Sequence, residues 1–486
     1  MTRSIGAALW AAFAILVAGA GCSSEPADQP TGPAATAGQA PSASEASAAQ
    51  PAETAAADAP ELTPIGYAKL PPPISSEATL ANLKALQEHQ KKQWEKSRAG
   101  FEEAVRLAPH YGIARFNLAC ARSRTGDVAG AATLLEALLD EDMPQYAPRL
   151  AADPDLEALR AAPEGEKLRA RVEALRPRWK EAAKGGLPSV LWRGTEARSG
   201  SPITYFIRPG VYQHGARRFV PLGASSQKLA AAVLDPEHER VLLFGADLSV
   251  ECMVDFCPRV YGYEIEVGSL FGEPNPGPKR TVAGDGSQMI WGVAAQLTED
   301  GFRYDEAVAG AGGWRRVGKD GAPKVDKERG ATAGARLDFE ASGSTLTRQE
   351  GGYSMKGDEL VSSSGERVKL DAMHGKSGTH TVLISPDRST VFVLSSRSQC
   401  VCDTREGSDF DYVLSRVDIT SGKPELVSHQ DGSAAIAFDA DGALYLQEGT
   451  RLRRWPKTLP RTAPEPIEEG VLITTPDYGP TNCCGL

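Results

Sequence analysis

The sequence predicts an α+β multidomain chain: a short helical stack followed by an all-β domain. Three observations predict it. A helical pattern repeats at a 34-residue interval, from Trp94, Ser97, Phe101 and Ala104 to Val128, Ala131, Leu135 and Leu138. Helical period then vanishes after Gly185-Gly186, and short alternating segments separated by Gly, Asp, Ser and Pro take over. Within that second half a strand–turn–strand pattern recurs. Val233-Leu234-Asp235-Pro236 with Val241–Phe244 is echoed by Leu383-Ile384-Ser385-Pro386 with Val391–Leu394, and again by Ala437-Phe438-Asp439-Ala440 with Leu444–Leu446.

Residues 1–21 read as a secretory signal: Arg3, an apolar run from Ile5 to Val17, then small residues. The segment ends Ala18-Gly19-Ala20-Gly21-Cys22-Ser23-Ser24. Small residues directly before a cysteine resemble the lipobox of bacterial lipoproteins. The resemblance implies that Cys22 is acylated and becomes the mature N-terminus. It implies a membrane partner through the lipid and a place in the cell envelope, at the outer membrane facing the periplasm or the exterior. Gly19 departs from the larger aliphatic residue that the family prefers three places before the cysteine, and an ordinary cleaved signal with an incidental cysteine is the alternative.

Residues 22–75 form the next region. From Ser23 to Ala59 the chain is nearly all Ala, Pro, Ser, Thr, Gly, Glu, Asp and Gln, without aromatic residues. Such a composition buries too little apolar surface to offset ordering entropy, so a disordered tether is expected.

The helical domain is expected over 76–184. Ser75-Ser76 introduce a helix bearing Leu80, Leu83 and Leu86, and Lys96–Leu107 follows as a second, stopped by Pro109. Tyr111–Thr125 and Val128–Leu139 are the third and fourth, joined by Gly126-Asp127. Two helix pairs do not bury a continuous core alone. A capping stretch is read from Asp153-Pro154-Asp155 onward, with Leu156 and Leu159, and a last helix over Glu166–Ala183 carries Leu168, Val172, Leu175 and Trp179.

The 34-residue echo, with small residues at the crossing positions, resembles the tetratricopeptide repeat. The resemblance implies a protein partner held in a groove lined by the first helix of each pair, here near Ile113, Phe116, Cys120 and Arg124. Asn82, Asn117 and Arg124 match only in part the set with which some members clamp a peptide carboxylate. Packing of the groove on the following domain is the competing expectation. Cys120 reads as a small buried residue, and His89, among Gln and Lys, as a solvated one.

Residues 187–486 form the β domain. Strands are expected at Thr204–Ile207, Arg218–Leu222, Arg240–Phe244, Tyr261–Val267, Thr390–Leu394, Tyr412–Val417 and Ala443–Leu446. The last two echo copies start 54 residues apart and the first two 150 apart, close to multiples of fifty. Radial repeats of that length resemble β-propeller blades, with a β-sandwich pair as the alternative. A late strand, Gly470–Thr475, is expected to complete a blade begun near Val190–Trp192 or Thr204–Ile207.

Of eight cysteines, six lie in the β domain: Cys252, Cys257, Cys400, Cys402, Cys483 and Cys484. An even number in an exported domain points to disulfides, with pairing between the Cys400/Cys402 and Cys483/Cys484 clusters easier than closure within either. A four-thiolate metal site from those four is the alternative. No cofactor motif, phosphate loop, metalloprotease helix or hydrolase elbow is present. His374 and His380 sit in a Gly- and Ser-rich loop without metal-ligand spacing, and the acidic stretch Asp403, Glu406, Asp409, Asp411 reads as a solvated turn. Asp439-Ala440-Asp441-Gly442 reads as a hairpin turn. A net charge of −10 without a basic stripe argues against nucleic acid. The expected function is protein binding or scaffolding. The alternative is an enzyme or carbohydrate-binding module using the central face of the β domain, and the fold alone admits both.

Overall fold

In the computed structural model the chain divides into two units, Met1–Pro64 and Ile65–Leu486. The structure describes residues 65–72, 74–194, 205–223, 229–247, 262–273, 277–283, 290–308, 314–318, 322–325, 337–340, 343–345, 352–376, 379–398, 410–431, 434–439, 441–456, 464–467 and 469–473. The signal, Cys22 and the Ser23–Ala59 stretch therefore lie outside the described residues, as do the six β-domain cysteines and most of the acidic 403–411 stretch. Ile65–Leu70, at the end of the 22–75 region expected as tether, is instead ordered against the body.

Helices come first. α1 (Ser76–Gln90) starts where Ser75 accepts a hydrogen bond from the Ala78 amide, satisfying one of the donors that a helix start leaves open. α2 (Trp94–Leu107) and α3 (Gly112–Arg124) follow. Asp127 caps α4 (Val128–Ala152) in the same way, accepting from Gly130. The expected fourth helix ended at Leu139; the observed one runs on to Ala152 across a sharp break at Asp142 (φ −155°, ψ 66°). There the Asp142 carboxylate accepts from the Gln145 amide, so the residue acts as the cap of a second helical segment. Pro144 stands in that segment's first turn, where a missing amide hydrogen costs nothing. A short 3-10 turn (Pro154–Leu156), α5 (Glu157–Ala161) and α6 (Pro163–Lys184) complete the region.

After Gly186 the described residues form six small antiparallel sheets. The first holds strands Leu187–Gly194, Tyr205–Gln213 and Arg218–Pro221, joined by Val471–Leu472 from the end of the chain. The late strand pairs Val190 with Leu472 and Leu191 with Val471, the first of the two partners offered by the sequence. The second sheet spans Leu229 to Ala283 and the six-stranded third Ile290 to Thr345. The three-stranded fourth spans Tyr353 to Lys369, the fifth Thr379 to Asp431, and the sixth Ala434 to Pro466. Each copy of the sequence echo is the first hairpin of a four-stranded sheet: Asp235 pairs with Arg240 in the second, Ile384 with Val391 in the fifth, and Phe438 with Leu444 in the sixth. Asp439 shapes the last of these turns by accepting from the Ala443 amide, and Gly442 takes the left-handed conformation (φ 81°) that the turn requires.

Apolar cores join sheets that follow one another in the chain. Leu360 and Leu370 of the fourth pack with Val382 and Val393 of the fifth. Leu383 and Phe392 of the fifth pack with Ile436 and Phe438 of the sixth. Tyr445 and Leu452 of the sixth pack with Leu187 and Leu191 of the first, beside Val471 and Ile473. The second and third sheets meet where Arg240 donates to the Thr298 and Glu299 carbonyls.

The helices share a core with the first two sheets. Leu138, Leu156, Leu159, Leu168, Leu175 and Trp179 pack with Val190, Ile207, Val220, Val241 and Leu270. At about 1.5–3 kcal/mol per buried aliphatic side chain, this core outweighs the ion pairs at its rim, each contributing about 1 kcal/mol or less. Those pairs run from α6: Arg176 to Glu239 (3.0 Å) and Glu273 (2.5 Å), Lys180 to Glu239 (3.3 Å), and Lys184 to Glu237 (3.1 Å). The segment Ile65–Leu70 crosses the junction. Gly66 donates to the Asp140 carbonyl of α4, while Tyr67 exchanges two backbone hydrogen bonds with Phe219 of the first sheet.

Candidate functional site

Ile113, Phe116 and Arg124, the residues expected to line a partner groove, all sit on α3. Ile113 is half-buried, Arg124 exposed and Phe116 buried. Phe116 stacks on Tyr146 at 5.7 Å between ring centres, and the Arg149 guanidinium lies over the Phe116 ring, 5.7 Å from its centre. The second segment of α4 thus covers the middle of the α3 face, leaving Ile113 and Arg124 at its margins. Cys120 is buried, as read from the sequence.

The Pro154–Leu156 turn lies against the C-terminal end of α3 and carries Asp155 to the end of α1. Asp155 Oδ2 lies 2.7 Å from His89 Nε2 and Oδ1 lies 3.7 Å from Arg124 Nε. The Arg124 guanidinium also lies 4.7 Å above the Trp94 ring, against whose edge His89 packs at 4.8 Å. His89 is therefore buried (5% exposed), which corrects its reading as a solvated residue. Its neighbours along α1 are polar, but its burial comes from Asp155, Trp94 and Phe101 folding over it. Asn117 donates to Asn82 (3.0 Å), so the two asparagines of the partial clamp are bonded to one another.

The His89 Nδ1 atom lies 3.3 Å from Ser97 Oγ, completing a Ser–His–Asp chain. Its connectivity is that of a nucleophilic relay. Ser97, however, is fully buried and donates its hydroxyl hydrogen to the Trp94 carbonyl at 2.8 Å, so no substrate reaches the oxygen. The chain joins α1, α2 and the capping turn.

Two further polar clusters escape sequence reasoning. At the junction of helices and sheets, Arg208 Nη2 donates to Asp142 Oδ1 (2.5 Å) and Nη1 to the Gly223 carbonyl (2.7 Å). Both side chains are within 1% of full burial. Tyr67 donates to Asp142 Oδ2 at 3.2 Å. Burial pushes the Asp142 carboxyl up, opposed by the Arg208 guanidinium, and burial followed by the nearby Asp142 charge pushes the Tyr67 phenol well up. The only sequence signal is an arginine inside an apolar strand, Phe206-Ile207-Arg208-Pro209. The second cluster holds His374 and His380. His374, in a 3-10 turn (His374–Lys376), is fully buried, and both its ring nitrogens face serines of the fifth sheet.

Among the described residues no group of three or more His, Cys, Asp or Glu is placed to hold a metal ion. None of their helices is long and apolar enough to cross a membrane. Compared with protein-family models and with curated proteins, the chain matches none.

Proposed function

We propose that the chain is a bacterial envelope lipoprotein, held to a membrane through an acylated Cys22, whose body is a protein-binding scaffold. The observation that carries this reading is the order of three parts along one chain. A cysteine closes a secretory-type segment, a polar tether follows, and the tether leads into a body whose helices and sheets share one core. A polar, Ala-, Pro- and Ser-rich spacer between lipid and body suits a protein that reaches partners at a distance from the bilayer.

Within that reading the helical region is a short tetratricopeptide-like stack, supported by two successive helix pairs at the 34-residue interval. The β region is a propeller. Its support is the sharing of cores from the fourth sheet through the fifth to the sixth, the packing of the sixth sheet on the first, and the late strand added to the first sheet. Closing a ring in this way removes sheet edges that would otherwise pair with other chains. Partner contact is assigned to the margins of the α3 face, at Ile113 and Arg124, because Phe116 is covered by Tyr146.

The test is site-specific photo-crosslinking in intact cells from position 113 or 124, with position 426 on the fifth sheet as control, since Leu426 is an exposed side chain remote in sequence. Discrete adducts from 113 or 124 that are absent from 426 are expected. No adduct from either helical position would overturn the partner assignment.

A further inference from the structure

Three strands of the fifth sheet, Thr379–Ile384, Thr390–Ser398 and Phe410–Asp418, place His380, Val382, Val393, Ser395, Val413 and Ser415 on one face. The apolar part of that face packs on the fourth sheet through Leu360 and Leu370. Its polar part receives the turn that follows the fourth sheet. His374 Nδ1 lies 2.6 Å from Ser395 Oγ, His374 Nε2 lies 2.8 Å from Ser415 Oγ, and His380 Nδ1 lies 2.7 Å from the same Ser395 Oγ. One hydroxyl thus stands between two imidazoles.

A hydroxyl has one hydrogen, so Ser395 can donate to one ring and accept from the other when both rings are neutral. With both rings protonated, each donates to the Ser395 oxygen, and two positive charges face one another across a single atom in a buried site. Other charges offer little relief. Asp371 belongs to the same turn and is exposed, while Asp358, from the hairpin of the fourth sheet, is paired with Lys369 at 3.7 Å. His429 continues the row across the sheet opposite Val413 but is exposed.

We propose that His374, His380 and Ser395 form an acid-sensitive seam, which holds the 371–376 turn and the fourth sheet against the fifth at neutral pH and releases them on acidification. The two imidazoles are neutral at pH 7: burial, and then the nearby His380, holds His374 down to about 4, and burial lowers His380 as well. A histidine whose folded value lies below its open value stabilises the closed form above about pH 6.5, and that stability drains away as pH falls toward 4. For His374 alone, linkage between about 4 closed and 6.5 open makes opening about thirty-fold more favourable at pH 5 than at pH 7.5.

Hydrogen exchange of the full-length protein at pH 7.5 and 5.0, with labelling times scaled to the intrinsic rate, reads this directly. Peptides covering 367–384 are expected to lose protection about thirty-fold at pH 5, while peptides from α3 hold theirs. The double variant His374→Gln, His380→Gln should show no such pH dependence. Unchanged protection in the wild type, an equal loss in the double variant, or an equal loss across α3 would overturn the proposal. Should the double variant fail to fold, the ring signals of the seven wild-type histidines decide it. His374 must titrate well below 6.5 and His380 also below 6.5, and seven titrating near 6.5 would overturn the seam.

Discussion

Replacing Arg208 by methionine keeps most of the side-chain volume while deleting the charge that faces Asp142. The carboxylate would then keep only the Tyr67 hydroxyl (3.2 Å) and the Gln145 amide (3.3 Å), in a site from which water is excluded. The Gly223 carbonyl would lose its donor too. Breaking a buried ion pair by removing one partner costs about 3–5 kcal/mol, most of it the uncompensated charge left behind. Asp142→Leu should cost a similar amount, because it strands the guanidinium and also removes the cap of the second α4 segment, about 1 kcal/mol of that total. The double variant should cost well under the sum of the two, since an apolar pair leaves no charge unpaired, and the coupling should reach about 2–3 kcal/mol. Urea unfolding followed by tryptophan fluorescence suits the measurement, because Trp179 and Trp192 both border the shared core. Since that core spans helices and sheets, the loss should appear as one shifted transition. A loss below about 1 kcal/mol for Arg208→Met, or additive costs in the double variant, would refute the argument that this pair joins the two regions.

Gly272 takes a left-handed conformation (φ 72°) against α4, and a methyl group there would collide with the Pro144 carbonyl oxygen. Gly272→Ala should therefore destabilise by about 2 kcal/mol or more, read from the same urea curves, and an unchanged midpoint would contradict the close approach. Deleting residues 470–486 removes Val471, Leu472 and Ile473, all buried, together with the hydrogen bond from the Ile473 amide to Gln447. At about 1.5–3 kcal/mol for each side chain, the loss of about 5 kcal/mol or more should lower the melting temperature of the β region as a whole, and a truncated protein that melts unchanged would remove the case for closure of the first sheet.

Periodic and local features were the legible ones. The spacing of Leu80, Leu83 and Leu86 marked α1 as a helix, although its buried face is Ala78, Asn82, Ala85 and His89 and Leu80 is exposed. Asp127 marked the start of α4. The Asp-Pro and Ser-Pro turns marked the opening hairpins of the second and fifth sheets. What escaped depends on pairs distant in sequence. His89 and Asp155 are 66 positions apart, as are Asp142 and Arg208, and no local pattern joins either pair. The extension of α4 past Leu139 turns on Asp142 and Pro144, which end one helical segment and start the next, a junction that no helical period marks. His374 looked like a loop histidine because the serines that receive it alternate along two strands, and their common face appears only when the register is known. The covering of Phe116 by Tyr146 likewise depends on how α4 folds back after its break.

The most direct test of the account is the state of Cys22. Intact and peptide mass spectrometry of the membrane-bound protein should find a mature chain beginning at Cys22 and carrying the added mass of lipid acyl groups. Cys22→Ala should move the protein to the soluble fraction or leave its first 21 residues attached. An unmodified Cys22 in the mature protein, or membrane association that survives Cys22→Ala with normal processing, would contradict the account at its root.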